Sequence, residues 1–406
     1  MSSGGERRGR EVAARLRWAR FAVLSIFFLN GFGFASWVVR IPAVQESVGV
    51  GAGALGLALL GLAGGALFAM PTVGALISRF GSRPVTVGTL FLFAALLALP
   101  TLAGGLAPLF LALLVVGVSA GGLDVSMNAH AVAVEKRYER PIMSSFHGFF
   151  SLGGLFGAVT GGVVAELGVG PTAHLAGVAA ITALAGVFIV RHMLPASEDR
   201  GTREEGAEPT PTFVRPTRAL LGLGMISFCV LVGEGAMADW SAVYLSGTLG
   251  TGPGFAAAGY AVFSLAMTVA RFTGDRVTAR VGAKRIVRGG ASLAAVGLAA
   301  GLLAGNPYLA LLGFGCAGLG FAVIFPIALS AAGHARDLPP GPALAAVATA
   351  GYFGFLVGPP TIGFAAEIVG LGGALFIVVA LSATVSLLAG TVEKSGKKKP
   401  ASEAAA

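Results

Sequence analysis

The chain has 406 residues, of which 55% are hydrophobic and only 12% carry a charge. Soluble domains carry about 25% charged residues, so this composition indicates a membrane protein. The two cysteines, Cys229 and Cys316, both lie in apolar runs, which excludes a disulfide framework and a zinc site. The formal net charge is +9, but its distribution along the chain is more informative than its sum, and we expect no nucleic-acid partner.

Apolar runs of bilayer-spanning length recur along the whole chain. We predict twelve membrane-spanning helices near residues 20–39, 54–77, 85–103, 107–134, 143–166, 172–191, 219–245, 255–273, 289–305, 308–332, 342–366 and 371–391.

A charged stretch rich in Glu, Arg and Pro separates the sixth predicted span from the seventh. It divides the chain into five predicted parts. These are an N-terminal cytoplasmic tail (1–19), a first six-helix half (20–191), a cytoplasmic linker (192–218), a second six-helix half (219–391) and a cytoplasmic tail (392–406).

Lysine and arginine fall on one side of this topology. If the N-terminus is cytoplasmic and the spans alternate, 27 of the 28 basic residues lie in cytoplasmic segments and only Arg40 lies outside. Positive charge concentrated on the cytoplasmic side sets the orientation of membrane proteins. The pattern therefore predicts a multi-pass protein of the plasma (inner) membrane with both termini in the cytoplasm.

The two halves repeat each other at an offset of 201 residues. The segment R-F-G-S-R (79–83) corresponds to R-V-G-A-K (280–284), and 151–166 corresponds to 352–367 with seven of sixteen positions identical. The matched pairs include Glu166 and Glu367. Two similar six-span halves joined by a polar linker are a known plan for secondary transporters, whose sites lie near the membrane midplane between the halves.

An acid interrupts the fourth predicted span. Asp124 lies within the apolar run 109–134, and Asn128 follows one helical turn later on the same face. A carboxylate costs at least ~2.5 kcal/mol to insert in a membrane and usually marks a substrate or ion pathway. We predict that Asp124 carries a proton, with a buried structural acid as the alternative. Asn128 would bind a solute hydroxyl or bond to another helix.

The seventh predicted span holds two further acids, Glu234 and Asp239. They are five residues apart and point about 140° away from each other on a helix, so both cannot face one cavity squarely. Glu234, nearer mid-membrane, is the stronger candidate for the cavity. Asp239 lies nearer the outer end, where it would face the cavity or pair with Arg40.

Four more side chains belong to the candidate cavity: Asn30, Trp37, His147 and Trp240. The histidine would serve as a proton relay or as a local hydrogen bonder. The tryptophans could stack on a sugar ring, although anchoring at the membrane interface is favoured. No His, Cys and carboxylate cluster indicates a metal site, and we expect no cofactor.

The loop G-A-L-I-S-R-F-G-S-R (74–83) resembles the G-x-x-x-D-R-x-G-R-R loop of the major facilitator superfamily, with Ser78 in place of the aspartate. The corresponding loop of the second half, within 271–285, supplies Asp275 instead. The resemblance implies an all-α fold of twelve helices in two pseudo-symmetric halves that work by alternating access. It also implies a cytoplasmic gate of salt bridges among Arg79, Arg83, Arg271 and Asp275.

Within that superfamily the chain resembles bacterial proteins related to the fucose permease. The resemblance is carried by R-I-P-A-V-Q (40–45), G-L-D-V-S-M-N (122–128), S-F-H-G-F-F-S-L-G-G (145–154) and G-E-G-A-M-A-D-W (233–240). Asp124 and Asn128 stand where those permeases have a glutamate and an asparagine linked to proton coupling and sugar recognition. An acid of their first span has no counterpart here, because residues 37–39 are W-V-V.

The combined expectation is a proton-coupled transporter that takes up a small polar solute, such as a sugar, and acts as a monomer in the lipid bilayer. An exporter of amphiphilic compounds is the alternative, because G-G-L-F-G-A-V-T-G-G (153–162) resembles the superfamily's antiporter motif with Ala158 replacing the proline. A non-transporting sensor is less favoured. No H-E-x-x-H motif and no P-loop is present, so we predict neither an enzyme nor an ATP-driven pump.

Overall fold

The computed structural model describes residues 3–138, 142–196, 217–335 and 340–394. Most of the predicted linker (192–218) and of the C-terminal tail (392–406) lies outside these ranges. The described residues contain no strand and form fifteen α-helices: α1 (Ser3–Val38), α2 (Ile41–Val48), α3 (Ala52–Phe80), α4 (Ser82–Leu96), α5 (Leu106–Tyr138), α6 (Met143–Glu166), α7 (Pro171–Ile189), α8 (Arg218–Val243), α9 (Pro253–Val281), α10 (Ala283–Leu303), α11 (Pro307–Phe321), α12 (Ile324–Gly333), α13 (Pro340–Ala374), α14 (Phe376–Leu388) and α15 (Thr391–Lys394).

Eleven helical segments in the described ranges are long and apolar enough to cross a membrane. One of them, Pro307–Gly333, combines α11 with α12. The twelfth predicted span (371–391) begins after Gly370, where a non-helical φ of 74° interrupts α13, and it contains the shorter apolar helix α14. The predicted all-α architecture of twelve spans agrees with this arrangement.

The helices run alternately up and down, so the bundle has two ends. Trp18, near the start of the first membrane-spanning segment (Ala14–Val38), stacks on His192 at 4.9 Å between ring centroids, which places the start of that segment beside the last described residues of the first half. We call this the linker end. The opposite end, where the hydroxyls of Thr172 and Thr101 bond at 2.9 Å, is the far end.

The sequence repeat is reproduced in the backbone. Helices α3 and α9 both have 29 residues, and their bounds are 201 residues apart. Each ends at a glycine with positive φ, Gly81 at 86° and Gly282 at 91°. Only glycine adopts this region at no steric cost, so these two residues turn the chain from α3 into α4 and from α9 into α10.

Glycines also let helices within each half approach backbone to backbone. A Cβ at Gly117 of α5 would collide with the carbonyl oxygen of Leu62 in α3, and one at Gly153 of α6 would collide with that of Phe28 in α1. Lipid is as apolar as a leucine side chain, so membrane helices associate through close packing of this kind.

The most extensive contacts between the halves are those of α3 with α13 and of α6 with α9, and α1 and α2 also touch α8. We call the first two the α3/α13 seam and the α6/α9 seam. Glycines line both seams. A Cβ at Gly56 would lie 2.6 Å from the carbonyl oxygen of Pro359, and one at Gly162 would lie 2.8 Å from Cβ of Ala257.

Two expectations about the far end are wrong. Trp37 and Trp240 are 3% and 0% exposed, because neighbouring helices cover both indoles, so neither anchors a lipid interface or offers a face to a solute in this state. Arg40 does not pair with Asp239. Its Nε donates instead to Nδ1 of His174 at 3.0 Å, within the first half.

Candidate functional site

Asp124 lies in the middle of α5 and faces the second half of the protein. The side-chain amide of Asn128 donates to the Asp124 backbone oxygen at 2.8 Å and to Oδ1 at 3.2 Å, so the two lie on one helix face as predicted. The side chain of Tyr352, on α13, lies close enough to the Asp124 carboxylate to interact with it. The acid therefore faces two neutral polar groups, one of which comes from the opposite half.

A second polar cluster joins the halves at the α6/α9 seam. Nη2 of Arg271 on α9 lies 3.5 Å from Oε2 of Glu234 on α8, and the two side chains are 18% and 15% exposed. Nη1 of the same guanidinium donates to Oγ of Ser151 on α6 at 2.7 Å. One arginine thus neutralises a membrane-embedded acid of its own half and bonds to a hydroxyl of the other half.

The position of Arg271 corrects the predicted cytoplasmic gate. The sequence placed this residue at the edge of a loop, since the predicted span ended at residue 273. Helix α9 continues to Val281, ten residues or about 15 Å further along the helix axis. Arg271 is therefore part of the membrane-embedded site.

The other three proposed gate residues do lie at the linker end. Arg79 lies over the ring of Phe80 at 5.1 Å, and Nη2 of Arg83 donates to the carbonyl oxygen of Val190 at 3.3 Å. Both contacts stay within the first half. Asp275 accepts a hydrogen bond of 2.9 Å from Ser144 across the α6/α9 seam. No ion pair among the described residues joins two of the four predicted gate residues.

Among the described residues, the remaining predicted cavity side chains form no hydrogen bond with Asp124, Glu234 or Arg271. The amide of Asn30 donates to the sulfur of Met127 at 3.6 Å. The His147 ring packs edge-on against Phe27 at 5.4 Å. Asp239 is 9% exposed, and among the described residues it forms no ion pair with a basic side chain.

Two residues of the site, Tyr352 and Ser151, were not predicted from the sequence. They are the first positions of the two matched sixteen-residue segments, 201 residues apart, and each interacts with a charged residue of the opposite half. The repeat contained this signal. A serine aligned with a tyrosine does not by itself indicate that both positions are functional, so neither residue was predicted as part of the site.

A string that fits the hydrolase motif G-x-S-x-G lies at 117–121, within α5. That motif needs a sharp strand-to-helix turn that exposes the serine. Here Ser119 is fully buried in a continuous helix, and its hydroxyl donates to the carbonyl oxygen of Val116 at 2.7 Å. The string is therefore part of helix packing and no nucleophile.

The sequence profile of the Major Facilitator Superfamily matches residues 23–340. The chain belongs to this superfamily. It is 35% identical over 370 residues to an uncharacterized MFS-type transporter of Yersinia pestis, covering 91% of this chain and 94% of that protein. It is 34% identical over 366 residues to the membrane protein MosC of Rhizobium meliloti, covering 90% and 88%. The protein is thus a multi-pass membrane transporter and not an enzyme.

Solved structures of the superfamily share its fold. The nucleoside transporter NupG aligns with a TM-score of 0.68 at 15% identity, over 94% of this chain and 100% of that one. A bacterial homologue of the human lysosomal transporter Spinster, inward-facing and occupied, aligns at 0.69 and 14%, over 94% and 98%. A D-xylose-proton symporter aligns at 0.69 and 16%, over 93% and 98%. At these identities the likeness concerns the fold alone.

Proposed function

We propose that this superfamily member couples proton movement to the uptake of a small polar solute, such as a sugar, by alternating access. The observation that carries the proposal is the Asp124 carboxylate, which is hydrogen-bonded by Asn128 of its own helix and interacts with Tyr352 of the opposite half. Membrane-embedded acids usually serve substrate or ion pathways. An acid between two moving halves can change its partners as they move.

The two clusters have different roles in this proposal. Asp124 has no cationic partner among the described residues, so it can lose and regain a proton without breaking an ion pair. Glu234 has a cationic partner instead, because Nη2 of Arg271 lies 3.5 Å from its carboxylate and favours the ionised form. The solute would bind between the clusters, where hydroxyl, amide and charged groups from both halves supply hydrogen bonds.

The orientation is part of the same proposal. The positive-inside pattern supports a cytoplasmic linker end, both termini in the cytoplasm and residence in the plasma (inner) membrane. The two halves would then span 20–191 and 219–391 and work within one monomer. A D-xylose-proton symporter with the same fold supports proton coupling, and the nucleoside transporter supports a solute rich in hydroxyl groups.

Uptake into proteoliposomes tests the proposal directly. A panel of sugars, nucleosides and small acids is presented with and without an inward proton gradient to wild type and to Asp124→Asn. We expect gradient-driven accumulation to be lost in the variant, while exchange of internal for external solute continues because it needs no net proton movement. Glu393→Gln, at an exposed pair with Lys284, is the matched control and keeps wild-type uptake.

Full accumulation by Asp124→Asn would refute the proton-carrier role. Resistance of an overexpressing strain to toxic amphiphiles would favour the exporter. The glycines that suggested an exporter already have a packing role, since Gly153 contacts α1 and Gly162 contacts α9.

A further inference from the structure

At the far end of the protein, the same kind of contact closes both seams. Oε2 of Glu166, the last residue of α6, accepts a hydrogen bond of 3.1 Å from the backbone N–H of Gly254 in the first turn of α9. Oε1 of Glu367, on α13, accepts one of 2.8 Å from the backbone N–H of Gly53 in the first turn of α3. Both bonds join one half of the protein to the other.

The two contacts are related by the internal repeat. Gly53 and Gly254 are 201 residues apart, as are Glu166 and Glu367. The first N–H groups of a helix have no partner within it, and the helix dipole makes this end attractive to a carboxylate. Hydrogen bonds with an ionised acceptor are stronger than neutral ones, so each glutamate fills a vacant bonding position on the opposite half.

Both donors are glycines for a steric reason. A Cβ at position 254 would lie 2.7 Å from Oε2 of Glu166, and a Cβ at position 53 would lie 3.1 Å from Cγ of Glu367. A side chain at either position would push the carboxylate away from the helix end. The same solution is thus present twice, at the same place in both halves.

We propose that the Glu166–Gly254 and Glu367–Gly53 bonds form a paired latch that holds the far end closed and that must release at both seams before the far end opens. The proposal rests on the alternating access of the proposed function. It adds two glutamates that touch neither cluster of the site and that control the balance between far-end-closed and far-end-open states.

The linker end lacks an equivalent pair among the described residues. The positions that would mirror Ser144 and Asp275 by the 201-residue offset are Ala345 and Gly74, neither of which has a polar side chain. Among the described residues, hydrogen bonds therefore close both seams at the far end but only the α6/α9 seam at the linker end.

Spin labels at Leu102 and Leu303 report on far-end opening. These residues occupy equivalent positions in the two halves and are 67% and 76% exposed, so labels there disturb no packing. Leu102→Cys and Leu303→Cys are placed in a Cys229→Ala, Cys316→Ala background, and pulsed electron resonance measures their separation in lipid nanodiscs without solute. This measurement uses neither solute nor a proton gradient. It therefore tests the latch independently of proton coupling, which the uptake assay tests.

We expect Glu166→Ala and Glu367→Ala each to raise the ratio of far-end-open to far-end-closed protein about fivefold, and the double variant to raise it about twenty-five-fold. Glu→Gln substitutions should have smaller effects, since an amide oxygen still accepts the bond without the charge. Glu393→Ala is the matched control, because its partner Lys284 lies in the same half. An unchanged distance distribution in a folded double Ala variant would overturn the proposal.

Discussion

The two seams between the halves differ along their length. The α6/α9 seam is in contact from the Glu166–Gly254 bond at the far end, through Arg271 and Ser151, to the Ser144–Asp275 bond at the linker end. Along the α3/α13 seam, the glycines that approach α13 are Gly53, Gly56 and Gly64, all in the far half of α3. A Cβ at Gly74, near the linker end of α3, would meet no heavy atom within 4 Å among the described residues.

The difference indicates how the halves separate at the linker end. Because the α6/α9 seam has hydrogen bonds along its whole length, we expect it to act as the hinge when the linker end opens and the α3/α13 seam to part there. A solute reaching Asp124 from the linker end would therefore pass between α3 and α13. Substitutions in each seam test these two roles.

The largest effect is expected at the middle of the hinge. Arg271→Ala leaves the Glu234 carboxylate without a counter-ion in a site where both side chains are under 20% exposed. Removing one partner of a buried pair costs about 3–5 kcal/mol. We expect a large fall in melting temperature and loss of uptake. Arg271→Ala with Glu234→Gln should recover most of the thermal stability but not the uptake, and a double variant as unstable as the single one would contradict this account.

A smaller effect is expected in the closed part of the α3/α13 seam. Gly56→Ala places a methyl group 2.6 Å from the Pro359 carbonyl oxygen, and overpacking of this kind costs about 1–3 kcal/mol. Gly74→Ala on the same helix is the matched control, because alanine there meets open space and gains about 0.5–1 kcal/mol of helix stability. Thermal unfolding should separate the two variants in opposite directions. Equal melting temperatures would mean that the seam is equally loose at both positions.

The smallest effect is expected at the linker end of the hinge. The Ser144–Asp275 bond is exposed and contributes about 0.5 kcal/mol. Ser144→Ala and Asp275→Asn should each increase opening at this end about twofold, measured by spin labels on α6 and α9, and the double variant should add nothing to either single change. Additive effects of the two substitutions would show that the residues act separately.

The sequence predicted the scaffold well because its signals are local. Apolar length defined the spans, and the 201-residue repeat matched the segments 79–83 and 280–284 that contain Gly81 and Gly282. The predicted spans 54–77 and 255–273 shared that offset at their starts but not at their ends. The same-face placement of Asp124 and Asn128 followed from helical periodicity alone.

The site was predicted only in part because its contacts join distant segments. Tyr352 reaches Asp124 across 228 positions of the chain, and no periodicity encodes such a pairing. Arg271 was assigned to a loop because a charge near the end of an apolar run looks like a boundary, although α9 continues past it. Trp37 and Trp240 looked like interface anchors since burial by neighbouring helices cannot be read from a single span.

The donors of the paired latch are main-chain groups, and this has a consequence for how the protein can vary. No substitution except proline removes a backbone N–H. Replacing Gly53 or Gly254 by another residue therefore adds a side chain but leaves the hydrogen-bond donor in place. Chemical change is confined to the two acceptors. In relatives we therefore expect a small residue at each of the two donor positions and an acid at the position opposite. We do not expect the two residues of a pair to change together.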